Sequence, residues 1–201
     1  MSKIQHGDII FCIIGPDDNP ISNVEKGIFE ANINHCGVII KENESYQVLE
    51  SFPSHLGGVQ KITLEDFKKR SQYKESSPRI LIGRIKDEYT HLLDKAIKFG
   101  IDQLGKPYDF LYSEDKESFY CSELILDMFN NALGSYDLFP RTILVFNDKH
   151  TGQLLPHWKK HYTDKGLKVP YNSLGSHPSS LSRSDNIVYH TISVKQKKTS
   201  N

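Results

Sequence analysis

Phe119-Tyr120-Cys121-Ser122-Glu123-Leu124-Ile125 places a cysteine at the start of an amphipathic helix. Leu124, Ile125, Met128, Phe129 and Ala132 recur at helical spacing, and Gly134 can take the left-handed conformation that closes a helix. Cys121 therefore falls in the first turn, where unpaired N–H groups and the helix dipole favour a negative sulfur. A free thiol, with a reference pKa of about 8.5, is drawn toward neutrality there and becomes a nucleophile. To cleave an amide, a thiolate also needs a partner that protonates the departing amine, so a histidine must be found.

Among nine histidines, His35 stands directly before the apolar, β-branched run Cys36-Gly37-Val38-Ile39-Ile40, which reads as a strand. After the polar cluster Lys41-Glu42-Asn43-Glu44-Ser45, the segment Tyr46-Gln47-Val48-Leu49-Glu50 alternates and ends at a carboxylate, giving a β-hairpin. If the loop is Lys41 to Glu44, His35 lies directly opposite Glu50; a two-residue loop at Asn43 and Glu44 leaves them diagonal neighbours on the same face. A glutamate beside an imidazole holds its tautomer and stabilises the imidazolium, as in a catalytic triad. Cys121, His35 and Glu50 thus form a coherent set. Free cysteines are often simply buried, which is the expectation for Cys12, inside the run Ile9 to Ile14, and for Cys36, which on a strand points away from the face His35 uses.

Several short motifs occur in order: Gly7-Asp8-Ile9-Ile10-Phe11, His35-Cys36-Gly37-Val38, Val48-Leu49-Glu50, Gly105-Lys106-Pro107-Tyr108-Asp109 and Tyr120-Cys121-Ser122-Glu123-Leu124. Pro170, Gly175, Pro178 and Leu181-Ser182-Arg183-Ser184 complete the pattern. With these residues the chain resembles the permuted branch of the NlpC-type papain-like cysteine peptidases and amidases, the YiiX/YebB-like group. The histidine precedes the cysteine here, the reverse of the ordinary papain order. The resemblance implies an α+β, circularly permuted papain-like (NlpC-type) fold with an antiparallel sheet packed against helices. It implies Cys121 as nucleophile, His35 as base and acid and Glu50 as orienting residue, with Tyr108, Tyr120 and Ser182 as substrate contacts. It calls for no cofactor and no metal. The acyl donor it implies is a small peptide or amide, the best known relatives cutting cell-wall peptides outside the cytoplasm.

Composition bounds the rest. A chain of 201 residues can bury one core, read as a single catalytic domain over 1–194 with a basic, frayed tail over 195–201. Lysine plus arginine equal aspartate plus glutamate at 25 each, so nucleic acid is not an expected partner. Three cysteines without CxxC spacing give neither a disulfide framework nor a structural zinc site. No signal peptide is visible and no run approaches the roughly 18 apolar residues of a membrane span, so a soluble, cytoplasmic protein is expected.

Further elements expected from the pattern are a strand near Ile9–Ile14, a helix near Asn23–Ala31, and a short helix begun by a Thr63/Asp66 capping box. A strand at Arg79–Ile85 and a long helix capped by Thr90, running to Leu104 and stopped by Gly105 and Pro107, follow. Strands at Thr142–Phe146 and Ile187–Val194 complete the pattern, and Tyr171–Asn186, rich in serine, glycine and proline, reads as a solvated loop. Gly100 to Lys106 imitates a phosphate-binding loop, but Pro107 stands where the magnesium-binding hydroxyl belongs and a helix precedes it. His157 and His161 lie four apart around Trp158-Lys159-Lys160, a solvated helix face rather than a zinc site. His6, His55, His91, His150, His177 and His190 are assigned ordinary surface or structural roles. Three rival readings use the same residues: a lipid acyltransferase or lipase of the lecithin:retinol acyltransferase type, a catalytically silent binding module, and a redox-sensing cysteine.

Overall fold

The computed structural model describes residues 4–53 and 57–193. Strands β1 (Ile9–Cys12), β2 (His35–Glu42), β3 (Ser45–Phe52), β4 (Gly58–Thr63), β5 (Ile80–Ile85) and β8 (Ile187–Ile192) form one antiparallel sheet in the order β4-β3-β2-β1-β5-β8. Helices α1 (Leu64–Arg70), α2 (Leu93–Asp102), α3 (Cys121–Leu133), α4 (Pro156–Thr163) and α5 (Pro178–Ser182) surround it, with a two-residue pair β6 (Thr142–Ile143) and β7 (Leu174–Gly175) apart from the main sheet. The fold is α+β with an antiparallel sheet and helices, as expected.

Both faces of the sheet are covered, and the pleat sorts the residues. Ile9, Phe11, Cys36, Val38, Ile40, Leu49 and Leu81 pack with Ala96 and Ile97 of α2 and with Leu124, Ile125, Met128 and Phe129 of α3. Alternate residues Ile10, Cys12, Ile39, Val48 and Ile82 pack on the opposite face with Leu64 and Phe67 of α1. A strand buried on both faces has no polar side to read, which is why β1 and β2 appear in sequence as unbroken apolar runs. A third cluster of Val24, Leu144, Phe146, Trp158 and Tyr162 lies outside the sheet.

The hairpin takes the two-residue connection. Glu42 pairs with Ser45, Ile39 with Val48 and Val38 with Leu49, and Asn43 carries the turn at φ +53°. The Lys41–Glu44 loop is thus excluded, and the register, continued, sets Gly37 opposite Glu50 with His35 on the diagonal. Thr63 caps α1, its hydroxyl accepting from the Asp66 N–H, as the capping box requires.

Four expectations are corrected. Asn23–Ala31 is not an α-helix: it holds only a 3-10 turn at Ile28–Glu30, in which Phe29 and Glu30 adopt φ of 55° and 58°. Its apolar residues serve two different clusters, Val24 facing Trp158 and Ala31 facing the sheet, so their helical spacing reflects tertiary demand rather than one buried stripe. Thr90 does not cap α2, since its hydroxyl donates to the Asp87 carbonyl within a 3-10 turn at Asp87–Leu92, and α2 ends at Asp102. Thr142–Phe146 is a strand only at Thr142–Ile143, because Leu144 and Phe146 turn into the third cluster. The Tyr171–Asn186 segment is no solvated loop: it contains β7 and α5, and Ser176, Ser179, Leu181 and Ser182 are buried. Val194 and the tail over 195–201 lie outside the described residues.

Edge strand β4 carries the loop that leads to the site. The Val59 N–H donates to the Lys106 carbonyl at 2.8 Å and the Gly105 N–H to the Val59 carbonyl at 2.9 Å. Gly58, at φ +89°, lies so close to this loop that an added Cβ would stand 1.9 Å from the Lys106 carbonyl oxygen and 2.5 Å from the Pro107 carbonyl carbon. Backbone cannot yield as a side chain can, so Gly58→Ala is expected to cost about 3 kcal/mol of stability. Urea denaturation tests this; a midpoint equal to wild type would contradict the close approach.

Candidate active site

The start of α3 is held from both sides. Tyr120 is its extended N-cap residue and Cys121 its first helical residue, and the first intrahelical bond runs from the Leu124 N–H to the Tyr120 carbonyl at 3.1 Å. The N–H groups of Cys121, Ser122 and Glu123 thus have no intrahelical acceptor and point past the thiol. Just upstream, Phe119 is laced to the Pro107–Asp109 loop through its N–H to the Pro107 carbonyl and its carbonyl from the Asp109 N–H, each at 3.1 Å. The Phe119 carbonyl also accepts from the Ser51 hydroxyl at 2.5 Å, which ties the helix start to the residue beside Glu50.

His35, Glu50 and Cys121 converge, exposed by only 4%, 0% and 5%. His35 Nε2 lies 2.6 Å from Glu50 Oε2, and the Cys121 thiol lies near enough to the imidazole to help hold its proton. The diagonal is open because Gly37, opposite Glu50, has no side chain; a Cβ there would stand 2.5 Å from Val48 Cγ1 and 3.4 Å from Glu50 Cβ. Being the first residue of β2, His35 stands at the strand's end, where it meets Glu50 on its own face and the thiol arriving from the α3 side. Its ring is clamped by Phe67 of α1, stacked at 5.5 Å, and by Phe52, edge-on at 5.2 Å.

Glu50 accepts three further hydrogen bonds: from Gln60 Nε2 at 2.9 Å and from Arg70 Nη1 at 2.8 Å and 3.0 Å, one to each oxygen. Burial would raise its pKa, but His35 and Arg70 hold it below the ordinary carboxylate value. Burial would likewise depress His35, yet its hydrogen bonds to Cys121 and Glu50 and their negative charges hold it up to about 9. The Cys121 thiol is drawn well below the usual value by a hydrogen bond with the Cys36 thiol, against desolvation, and by the bond and charge of His35. Cys36 itself is pushed up by burial.

Cys36 does point away from the His35 face, but that direction is toward α3, and so toward Cys121. Alternation along β2 carried this information. Gln60 and Arg70, from β4 and α1, could not be placed without the tertiary fold.

The thiol borders a narrow cleft lined by Tyr108, Tyr112, Tyr120, Phe146, Trp158 and His177 among others. Tyr108 is half-buried beside Phe110, with ring centroids 5.0 Å apart. Tyr120 is buried, and its hydroxyl accepts from the Ser176 N–H at 2.9 Å. Ser182 is not brought into the cleft: it is fully buried, its hydroxyl donating to the Ser179 carbonyl at 2.7 Å and accepting from the Ile28 N–H at 3.0 Å. Ser176 lines the wall instead, bonded to Ser122 at 3.0 Å. His177 caps α5, accepting from the Ser179 N–H at Nδ1 and donating to the Ile21 carbonyl from Nε2. Burial lowers its pKa, against the Glu25 carboxylate 3.3 Å from Nδ1. Among the described residues no group of three or more His, Cys, Asp or Glu is placed to hold a metal ion, and no helix is long and apolar enough to cross a membrane.

Over residues 3–186 the chain matches the family described as permuted papain-like amidase enzymes, YaeF/YiiX, C92. It is 28% identical to the uncharacterized protein YiiX of Escherichia coli strain K12 over 130 residues, 65% of this chain and 59% of that protein, so the match spans less than two thirds of that relative. Its fold is that of a crystal structure described as the metalloprotein YiiX from Escherichia coli O157:H7, with a TM-score of 0.77 at 21% identity, covering 95% of this chain and 98% of that one. A histidine strand that precedes the cysteine helix, an antiparallel sheet between helices and a family match over most of the chain agree: the protein belongs to the permuted papain-like amidase family of the YaeF/YiiX type.

Proposed function

We propose that this chain is a cysteine-dependent peptidase or amidase that works through a thioester acyl-enzyme. One observation carries the reading: a buried thiol at the first residue of a helix meets an imidazole whose Nε2 is 2.6 Å from a fully buried carboxylate. Cys121 and His35 rest as thiolate and imidazolium. The sulfur attacks the amide carbonyl, and the Cys121 N–H at the helix start helps hold the developing oxyanion. His35 protonates the amine as the C–N bond breaks, leaving a thioester. The neutral imidazole then takes a proton from water, whose oxygen displaces the sulfur and restores the ion pair. Glu50 keeps the imidazole aligned throughout, and Tyr108 and Tyr120 contact the substrate. The neighbour's description as a metalloprotein finds no matching donor set among the described residues, and no step runs through a metal.

A small peptide or amide is the substrate that the family's amidase character supports. The aromatic lining of the cleft favours one second reading, an ester whose acyl group is apolar, as in lipid acyltransferases and lipases. Comparing acetyl and long-chain p-nitrophenyl esters with peptidyl amides separates the two: preference for long apolar chains supports the ester reading.

Cys121→Ala and Cys121→Ser are expected to abolish turnover while leaving the circular dichroism spectrum unchanged. Mass spectrometry of p-nitrophenyl acetate reactions should show the acetyl adduct on Cys121, and unchanged activity in either variant would overturn the assignment. Glu50→Gln keeps a hydrogen-bonding group but removes the charge that supports the imidazolium, so kcat/KM should fall about 10- to 100-fold. His35 is raised in the folded protein, so the imidazolium persists up to pH of about 9 and is lost above it. Amide cleavage should decline through that pH in a rate profile, whereas alkylation of Cys121 by iodoacetamide should continue, since the thiolate remains.

A further inference from the structure

Glu50 is a carboxylate with no exposure, and a buried charge is tolerated only while it is compensated. On the catalytic reading above, on which this inference rests, His35 loses its proton to the leaving amine and regains one during deacylation. Each turnover therefore passes through a state in which the imidazole is neutral. If His35 were the sole counter-charge, Glu50 would then stand unpaired in the interior, and the imidazolium would hold its proton too tightly to act as an acid.

A second, permanent charge is built in. Arg70, the last residue of α1, places Nη1 at 2.8 Å and 3.0 Å from the two Glu50 oxygens. Its guanidinium lies over the Phe52 ring at 3.8 Å from the centroid and 6.0 Å from that of Phe67, the same two rings that clamp His35. The other basic residues of that helical turn behave differently: Lys68 pairs with Glu65 and Lys69 with Asp66, each three residues back. The corresponding residue for Arg70 is Phe67, which offers no acid, and the guanidinium turns inward. The remaining groups that face the pair are the Cys121 and Cys36 thiols from the α3 side, Cys12 from β1 and Gln60 from β4; Arg79, paired with Asp17, acts on Cys12. His177, on the same cleft as the thiol, has its pKa lowered by burial and is paired with Glu25.

We propose that Arg70 is a positioning residue of the reaction: a fixed counter-charge that keeps Glu50 ionised while His35 alternates between imidazolium and imidazole. It sets the acidity of His35 without touching substrate. The sign of its effect follows from the charge it cancels: without the guanidinium the full negative charge of Glu50 falls on His35 and raises its pKa.

The test uses Arg70→Gln, Glu50→Gln, their combination and Arg70→Lys in the full chain. Two readouts are taken: the pH dependence of iodoacetamide labelling at Cys121, and the pH dependence of deacylation after acetylation by p-nitrophenyl acetate. Deacylation needs neutral His35, so its acid limb should move up by about one pH unit in Arg70→Gln, slowing deacylation about tenfold on that limb. In the Glu50→Gln background, Arg70→Gln should add less than a threefold change, since Arg70 acts through the carboxylate. A folded Arg70→Gln with the wild-type profile, or an equal loss in both backgrounds, would overturn the proposal. If Arg70→Gln fails to fold, Arg70→Lys decides: deacylation within threefold of wild type with an unshifted limb supports the counter-charge, and the shifted limb overturns it. Failure of the underlying reading looks different: wild-type Cys121 would then label only near the free-thiol pKa, and both inferences would fall.

Discussion

The pleat of β2 is the constraint on which the site depends. Successive side chains on a strand leave on opposite faces, so His35 and Gly37 turn toward α1 while Cys36 and Val38 turn toward α3. Pairing with β3 then sets Glu50 on the His35 face, across from a glycine whose missing side chain leaves the diagonal clear. Shifting the pairing by one residue would send Glu50 to the α3 face, into an apolar core of Leu124, Ile125 and Phe129. Burial of both faces is what forbids that shift.

Around this hairpin Arg70, Glu50, His35 and Cys121 follow one another through the interior. Each member lowers the cost of burying the next, and each arrives on a different element. Aromatic rings fill the gaps between them. Phe52 separates Arg70 from His35, and Phe67 stacks beneath the imidazole, so neither cation can swing away without opening the α1 face of the sheet.

The far wall of the cleft is made by segments remote in the chain. Gly175 and Ser176 close on Tyr120, the residue that caps α3, and the Ser176 N–H occupies its hydroxyl. His177 holds the start of α5 and is anchored to the Ile21 carbonyl, which brings the irregular segment before β2 to the mouth. The acyl transfer proposed above draws on a helix N-terminus whose first N–H groups lack an intrahelical acceptor, an apolar aromatic wall and a thiol beside a compensated imidazole. The first comes from α3 alone, the others from its neighbours.

Local rules were enough for much of this. Helical spacing locates α3 and puts Cys121 in its first turn, alternation locates the hairpin, and parity keeps His35 and Glu50 on one face under either loop. These features depend on interactions between residues close in sequence, which sequence records directly. Val24 and Ala31 show the limit: their helical spacing served two separate cores, and no helix formed. Likewise the serine-rich segment with α5 became a buried wall, and Ser182 went into the interior instead of the cleft. Arg70 ends a helix that was legible from its capping box, yet its partner is a carboxylate 20 residues earlier on another element. Its direction was settled only when β3 and α1 packed together, because a buried charge finds its counter-charge through space and not along the chain.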